Sequence, residues 1–458
     1  MGTLVFERPD GSSSVVSGYQ KSPKNKLGAS KYVGDKYDEA SLPAKVDLRP
    51  YMTKIEDQGG TNSCVANAVA GAYEYLAKKH TGQEYDVSRM YVYYNARYVA
   101  SEDESEIEDE GTCIEYAIEG LKQYGACSED AWPFDEDSVN EEPGEHAYEE
   151  GGNFLVEDVS LVPTTLAAWK HALAEGNPII FGLSLFDSFD KQKKKGLVPT
   201  PTKNEVSRES HSGHAMLAVG YSDHDRVFIV RNSWGTSWGD AGYCYISYDY
   251  LLDKRFNDGD SWIIRQLENV DFDSTDYWSD DDESILADVE SELANMDDEV
   301  YQEMLDAMGK YPLEYRIALL FLAAVGSDGN LSEDEVTAVS EYMQSVIDAL
   351  GSQYEAQKVL KKVLKDLSKQ DEEWIENIIN ETVELFAEYF SNEFLAQTAN
   401  DIAGVASADE FSASEADFVT SLAQAWQLEE GELDEEDEED EEDEEDEEDE
   451  EDEEGGDK

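Results

Sequence analysis

The sequence predicts an α+β domain over residues 42–268, an all-α domain over 285–428 and a disordered acidic tail over 429–458. Three observations carry this. Within 42–268 helical apolar periods come first and strand periods later, the order of an α+β chain rather than of alternating β-α units. Residues 285–428 keep a helical texture with a single proline, Pro312. From Asp434 to Glu454 the chain is seven consecutive Asp-Glu-Glu triplets with nothing apolar to bury.

Each element has its own reason. Residues 1–41 are rich in Gly, Ser and Lys and lack a sustained apolar period, so a loosely ordered leader is expected there. It has no amphipathic helix able to fill a cleft, and its removal is expected to change any activity by less than about tenfold. Cys64 to His80 opens with small residues and keeps apolar positions at helical spacing, and residues 113–124 repeat the pattern. After Pro178 the period shortens. Ile179–Leu185, His214–Tyr221, Val227–Arg231 and Gly242–Tyr248 read as strands, with Ser222–Arg226 as a hairpin connection. Residues 269–284 are acidic and unpatterned, which suits a linker.

Charge excludes several function classes. The chain has 458 residues, 34 Lys+Arg and 107 Asp+Glu, for a net charge of -73. The last 30 residues account for -24 of this, so the body is acidic in its own right. Neutralising phosphates needs a basic face, which argues against nucleic acid as a partner. An anionic membrane surface is disfavoured for the same reason. Four cysteines are too few for a disulfide scaffold. The first residues lack a basic segment followed by an apolar one, so no secretory signal is visible and a cytoplasmic, reducing location is expected.

The chemistry concentrates in three places. Gln58-Gly59-Gly60-Thr61-Asn62-Ser63-Cys64 delivers a cysteine to the first turn of a helix. Unpaired N–H groups and the helix dipole there favour thiolate over thiol. A nucleophilic cysteine also needs a base and an oxyanion donor. His214 opens an apolar strand, and Asn232 ends the next one. Adjacent antiparallel strands can set the two side by side, so that the Asn carbonyl holds one ring nitrogen and the other faces sulfur. Gln58 lies on the loop into the helix, where its amide can reach back.

These residues resemble papain-like cysteine peptidases. Val46-Asp47-Leu48-Arg49, Gln58 with Ser63-Cys64, Gly213-His214-Ala215, and Asn232-Ser233-Trp234-Gly235-Thr236-Ser237-Trp238-Gly239 carry the likeness. It covers about half of the chain, roughly residues 42–268. It implies two lobes, one helical and one β-rich, with the active site between them. It further implies Cys64 as nucleophile, His214 as general base and acid, Asn232 as the residue orienting the imidazole, and Gln58 with the Cys64 N–H as oxyanion hole. Trp234 would shield the His–Asn contact, and Gly111 would line the substrate cleft. No cofactor or metal is called for, and protein or peptide substrates are the expected partners. Two departures stand out: Thr61-Asn62 replaces the usual Cys-Gly, and Val65-Ala66-Asn67 replaces Trp-Ala-Phe. The rival reading from another class is a catalytically silent adaptor on the same fold, binding basic partners through its acidic surface and helical domain.

The other candidates have plainer readings. His211 and His224 fit solvated loops, and Cys113, Cys127 and Cys244 fit core thiols whose spacing does not suggest zinc. Ser327–Glu335 looks like half of a calcium loop, but Ala324 and Gly326 stand where the first ligands belong. Ser332-x-x-Glu335 and Ser412-x-x-Glu415 read instead as helix capping boxes. Two such helix–acidic turn–helix units resemble TerB-like domains over roughly 300–428, a likeness that would place metal at Asp328 and Asp409. The acidic tail suits a solubilising extension, a cation sponge, a lure for basic proteins or adaptation to high salt.

Overall fold

The apolar run opening at Cys64 folds as α1 (Cys64–Thr81), and every residue from Cys64 to Ala77 is buried. A helix buried all round is a core element, not a surface one. It stops at Gly82, whose φ of 69° and N–H bond to the Lys78 carbonyl close the last turn. α2 (Arg89–Ser101) and α3 (Ile114–Gln123) pack against it and each other. α3 lies where the apolar period placed a helix. α2 is Tyr-rich, and its aromatic residues hide a helical period behind strand-forming propensity.

In this computed structural model the described residues are 4–428, apart from 9–10, 12, 24–26, 35, 38–40, 102–106, 193, 209–210, 268–283, 287–290, 329–332, 353 and 407–412. The side chains of 328, 333–336, 372 and 406 also lie outside the description. Ser332, Asp409 and Ser412, the residues 269–283 of the expected linker and the tail from 429 therefore fall outside the described residues. Contacts divide the chain into two units, Met1–Ala318 with Ile347–Gln370, and Leu319–Val346 with Asp371–Lys458.

The strands of the first unit are β1 (Leu4–Glu7), β2 (Ser13–Val16), β3 (Ser30–Lys31), β4 (Lys45–Asp47), β5 (Val156–Leu161), β6 (Ile179–Leu185), β7 (Ser212–Ser222), β8 (Val227–Arg231), β9 (Tyr243–Ser247) and β10 (Ser261–Leu267). One sheet runs β3-β5-β10-β6-β7-β8-β9, with β4 also on β7. β6, β7 and β8 are buried along their whole length, which explains their near-continuous apolar sequences. The hairpin expected at Ser222–Arg226 joins β7 to β8, with Ser222 opposite Val227. α1 lies against β7, so the helix that starts at Cys64 and the strand that carries His214 share one core.

The leader differs from its expected looseness. β1 and β2 form an antiparallel hairpin, and Phe6, Val16, Tyr19 and Tyr32 are buried. Its apolar residues are too few and too scattered to give a period. They are buried by partners far along the chain, which local patterning does not reveal.

The helical part of the first unit includes Asp298–Met308 and Ala356–Leu367. The latter buries Val359, Leu360 and Val363 on one face. In the second unit, helix Glu372–Tyr389 brings Phe386 against Trp426, whose indole N–H donates to the Val383 carbonyl at 3.1 Å. Among the described residues no helix is long and apolar enough to cross a membrane.

Candidate active site

Cys64 is the first residue of α1, so the free N–H groups of the first turn surround its side chain. The backbone amide of Ala215, next to His214, also bonds to the thiol. Burial pushes the thiol up to about 12, and the Ala215 and Val65 amides pull it down. His214 sits on β7 opposite Leu183 of β6. Leu217 pairs with Arg231 on β8, so Asn232 leaves β8 beside the stretch of β7 that leads back to His214.

The imidazole and the amide meet there. His214 Nε2 donates to Asn232 Oδ1 at 2.8 Å, and the same oxygen accepts from the Ser233 N–H at 2.9 Å. With Nε2 as donor, Nδ1 is the acceptor nitrogen, and it is buried without a hydrogen-bond partner. Burial pushes the imidazole down to about 4, against the opposing pull of the Asn232 bond. The Trp234 ring lies 5.1 Å from the imidazole and in turn contacts Phe6, Phe189 and Trp238. Both the imidazole and the Asn232 amide are thereby kept from water.

Arg231 fixes the end of β8. Its Nη1 donates to the Thr53 carbonyl at 2.9 Å, its Nη2 donates to the Lys54 carbonyl, and the Glu74 carboxylate of α1 lies 3.9 Å away. Burial raises Glu74 to about 7, while Arg231 and a hydrogen bond from Thr53 hold it down. Removing one partner of such a buried pair costs about 3–5 kcal/mol, because the other charge is left uncompensated. This cluster ties α1, which bears Cys64, to the strand that bears Asn232.

Gln58 is held at both ends. Its Oε1 accepts from Ser233 Oγ at 2.7 Å, and its Nε2 donates to the Thr61 carbonyl at 2.9 Å. The amide therefore turns its NH2 toward the loop into Cys64 and keeps a second N–H for a ligand. Ser233 was not singled out from sequence. It sits between Asn232 and Trp234 and holds Gln58 twice, through its hydroxyl and through its carbonyl, which accepts from Gln58 N at 2.8 Å.

The leader lies over this site. Phe6 and Arg8 sit on Trp234 at one end. At the other, Ser17 Oγ donates to Asn62 Oδ1 at 2.6 Å. The Gly18 carbonyl accepts from Thr112 N at 2.9 Å, and Gln20 N donates to the Thr112 carbonyl at 2.9 Å, which makes Tyr19 and Thr112 a parallel bridge. Gly111, expected in the cleft wall, precedes Thr112 and has a φ of 83°. A Cβ on it would come within 2.2 Å of the Gly18 carbonyl. Beneath this cover Cys64 is 1% exposed and His214 fully buried. The expectation that the leader cannot fill a cleft is corrected: an extended strand does so through backbone pairing, with no helix.

The remaining expectations resolve simply. His211 lies against the Phe186 ring, and His224 is largely exposed beside Asp225. Cys113, Cys127 and Cys244 are buried free thiols. The unusual Asn62 anchors the cleft wall, since its N and Nδ2 donate to Asp109.

The chain is similar to known cysteine proteases. A sequence profile of papain family cysteine proteases matches residues 42–254. A peptidase C1-like protein of Acanthamoeba polyphaga mimivirus is 35% identical over 237 residues, 48% of this chain and 74% of that protein. Cathepsin K of Gallus gallus is 31% identical over 45% of this chain, which spans 59% of the cathepsin. The crystal structure of xylellain, a cysteine protease from Xylella fastidiosa, is 32% identical, covering 54% of this chain and 96% of its own, with a TM-score of 0.48. On the profile match and on the identity shared with most of the viral relative, the chain belongs to the papain family of cysteine proteases.

Proposed function

We propose that this protein is a cysteine endopeptidase acting through Cys64, His214 and Asn232. The observation that carries the reading is the 2.8 Å bond from His214 Nε2 to Asn232 Oδ1, which leaves Nδ1 an unpartnered acceptor in the site of Cys64. In the open cleft the thiol gives its proton to Nδ1, and the thiolate attacks the peptide carbonyl. The oxyanion is held by the Cys64 N–H and by the second N–H of Gln58. The imidazolium returns its proton to the departing amine, leaving a thioester. Water, deprotonated by His214, then hydrolyses the thioester and frees the thiol. Asn232 keeps the ring in the tautomer and orientation both steps need. The leader supports a closed resting state, since it pairs with Thr112 beside Gly111, the residue that the family resemblance sets in the substrate cleft. The TerB-like reading of the helical region rests on its two Ser-x-x-Glu boxes and stays with this proposal as an accessory module.

The test is labelling with an irreversible thiol-directed peptidyl inhibitor, followed by hydrolysis assays on Cys64→Ala. Label on Cys64 and loss of all turnover in the folded variant are expected. Alanine suits an early helical position, so the fold should survive. An unlabelled Cys64 in reduced, opened protein, or near wild-type turnover in the variant, sinks the reading.

A further inference from the structure

A cavity of about 370 Å³ opens between the leader hairpin, the loop after β6 and the helical part of the first unit. Of its wall only residues 187–195 belong to the stretch 42–254, so the cavity is an addition to the shared fold. Its apolar side is made by Phe6 of β1, Leu293, Tyr301, Met304, Met308 and Leu313, all buried. Pockets of this size hold small organic ligands, and thioethers pack well against aromatic rings. The charges on the wall are uneven. Glu7 and Asp187 are exposed and are matched by the exposed Lys191 and Lys195. Asp190 is answered by Arg8, 3.6 Å away. Glu314 is 9% exposed, and its Oε1 accepts from Ser352 Oγ at 2.6 Å. Among the described residues no cation pairs with it. Burial, and with it the Asp190 charge, raises its carboxyl against the pull of the Ser352 bond. A buried carboxylate is stable only when it is paired, and here the cavity leaves room for the partner.

We propose that this cavity binds small apolar amines, with Glu314 taking the ammonium group, and that the bound amine holds the leader over Cys64. The apolar part of the ligand lies against the methionines and the rings of Phe6 and Tyr301. A carboxylate head is repelled by Glu314 and Asp190, and an alcohol supplies a donor without the charge. Phe6 joins the cavity to the active site: its ring is 5.5 Å from that of Trp234, which lies 5.1 Å from the His214 imidazole. Because Phe6 belongs to the leader, a ligand that needs this wall binds the closed form in preference to the open one, and so stabilises it. The binding stands apart from the peptidase reading above, and the control of Cys64 rests on it.

The experiment uses the full chain, with calorimetry at about 150 mM salt to screen attraction to the acidic surface. The probes are 2-phenylethylamine, 2-phenylethanol, 3-phenylpropanoate and ethylamine. The first should bind at least about tenfold tighter than each of the others, the effect of one charged hydrogen bond to a buried group or of one buried ring. In Glu314→Gln the amide oxygen still accepts from Ser352, and the charge is gone. The ratio of amine to alcohol affinity should then fall to within about threefold of one. Leu305→Trp, at a half-buried wall position, should fill the cavity and weaken 2-phenylethylamine by at least about tenfold. At ten times its dissociation constant, 2-phenylethylamine should slow labelling of Cys64 by about tenfold. Ethylamine bound as tightly as 2-phenylethylamine would assign the binding to the acidic surface and overturn the proposal. So would equal affinity for amine and alcohol, no binding of any probe, or an amine to alcohol ratio unchanged in Glu314→Gln. Unaltered binding in Leu305→Trp, or labelling indifferent to the bound amine, would overturn it too. No labelling of Cys64 with or without the amine would instead overturn the peptidase reading and leave the binding result standing.

Discussion

Gly18 is pressed against Asn62 so closely that a Cβ on it would stand 2.2 Å from the Asn62 carbonyl oxygen. Asn62 lies two residues before Cys64, so this contact brings the leader backbone close to Cys64. Only a residue without a side chain can pass there, and this gives the leader its most direct test.

Gly18→Val should expel the leader from the cleft. The branched side chain has no space against Asn62, and a clash with backbone cannot be relieved by rotating a side chain. Labelling of Cys64 and peptide hydrolysis by the full chain should both rise by at least about tenfold, which corresponds to about 1.4 kcal/mol of lost leader binding. Rates equal to those of the parent chain would mean that the leader does not restrain the enzyme.

Gln58→Ala should lower kcat by on the order of 10²-fold or more, the usual effect of losing one oxyanion donor. Ser233→Ala should lower kcat less than this while leaving KM nearly unchanged. Its hydroxyl only orients the Gln58 amide, through the 2.7 Å bond to Oε1. Steady-state kinetics on one peptide separates the two. A Ser233→Ala loss confined to KM would contradict the positioning role.

The closed leader should loosen in acid. Under it the His214 imidazole is pushed down to about 4 by burial, whereas an ordinary histidine titrates near 6.5. A depressed base binds fewer protons when closed than when open. The closed form therefore keeps its full advantage above about pH 6.5 and loses it as pH falls toward 4. With the open-state imidazole at its ordinary value, opening should gain about thirtyfold between pH 8 and pH 5. The ratio of Cys64 labelling rates in the parent chain and in Gly18→Val reads this, because intrinsic thiol reactivity cancels. A ratio flat across that window would exclude the linkage.

The acidic tail offers a separate test of partner choice. With its triplets from Asp434 to Glu454, it should recruit basic substrates electrostatically. A lysine-rich protein should be cleaved faster by the full chain than by a chain ending at Leu428. The advantage should shrink between about 50 mM and 500 mM salt, as the screening length falls. Equal rates at low salt would leave the tail a solubilising role only.

The sequence by itself determined the helix that begins at Cys64, the strands of His214 and Asn232, the hairpin between them and the frame after Asn232. These were legible because burial imposes a local period of about 3.6 or 2 and because the chemistry needs fixed residue types at fixed distances from a turn. It also placed Gln58 on the glycine-containing loop that leads into the helix opening at Cys64. Only the tertiary structure decided the rest. That Ser233 holds Gln58, that Arg231 and Glu74 tie β8 to α1, and that Asp260 receives Tyr19 are contacts between residues from 157 to 241 positions apart. The leader is the clearest case. A strand that binds through its backbone leaves almost no trace in its side chains, because N–H and C=O groups are the same at every residue. Its place in the cleft was set by what Thr112 and Asn62 offered it, and not by any pattern of its own.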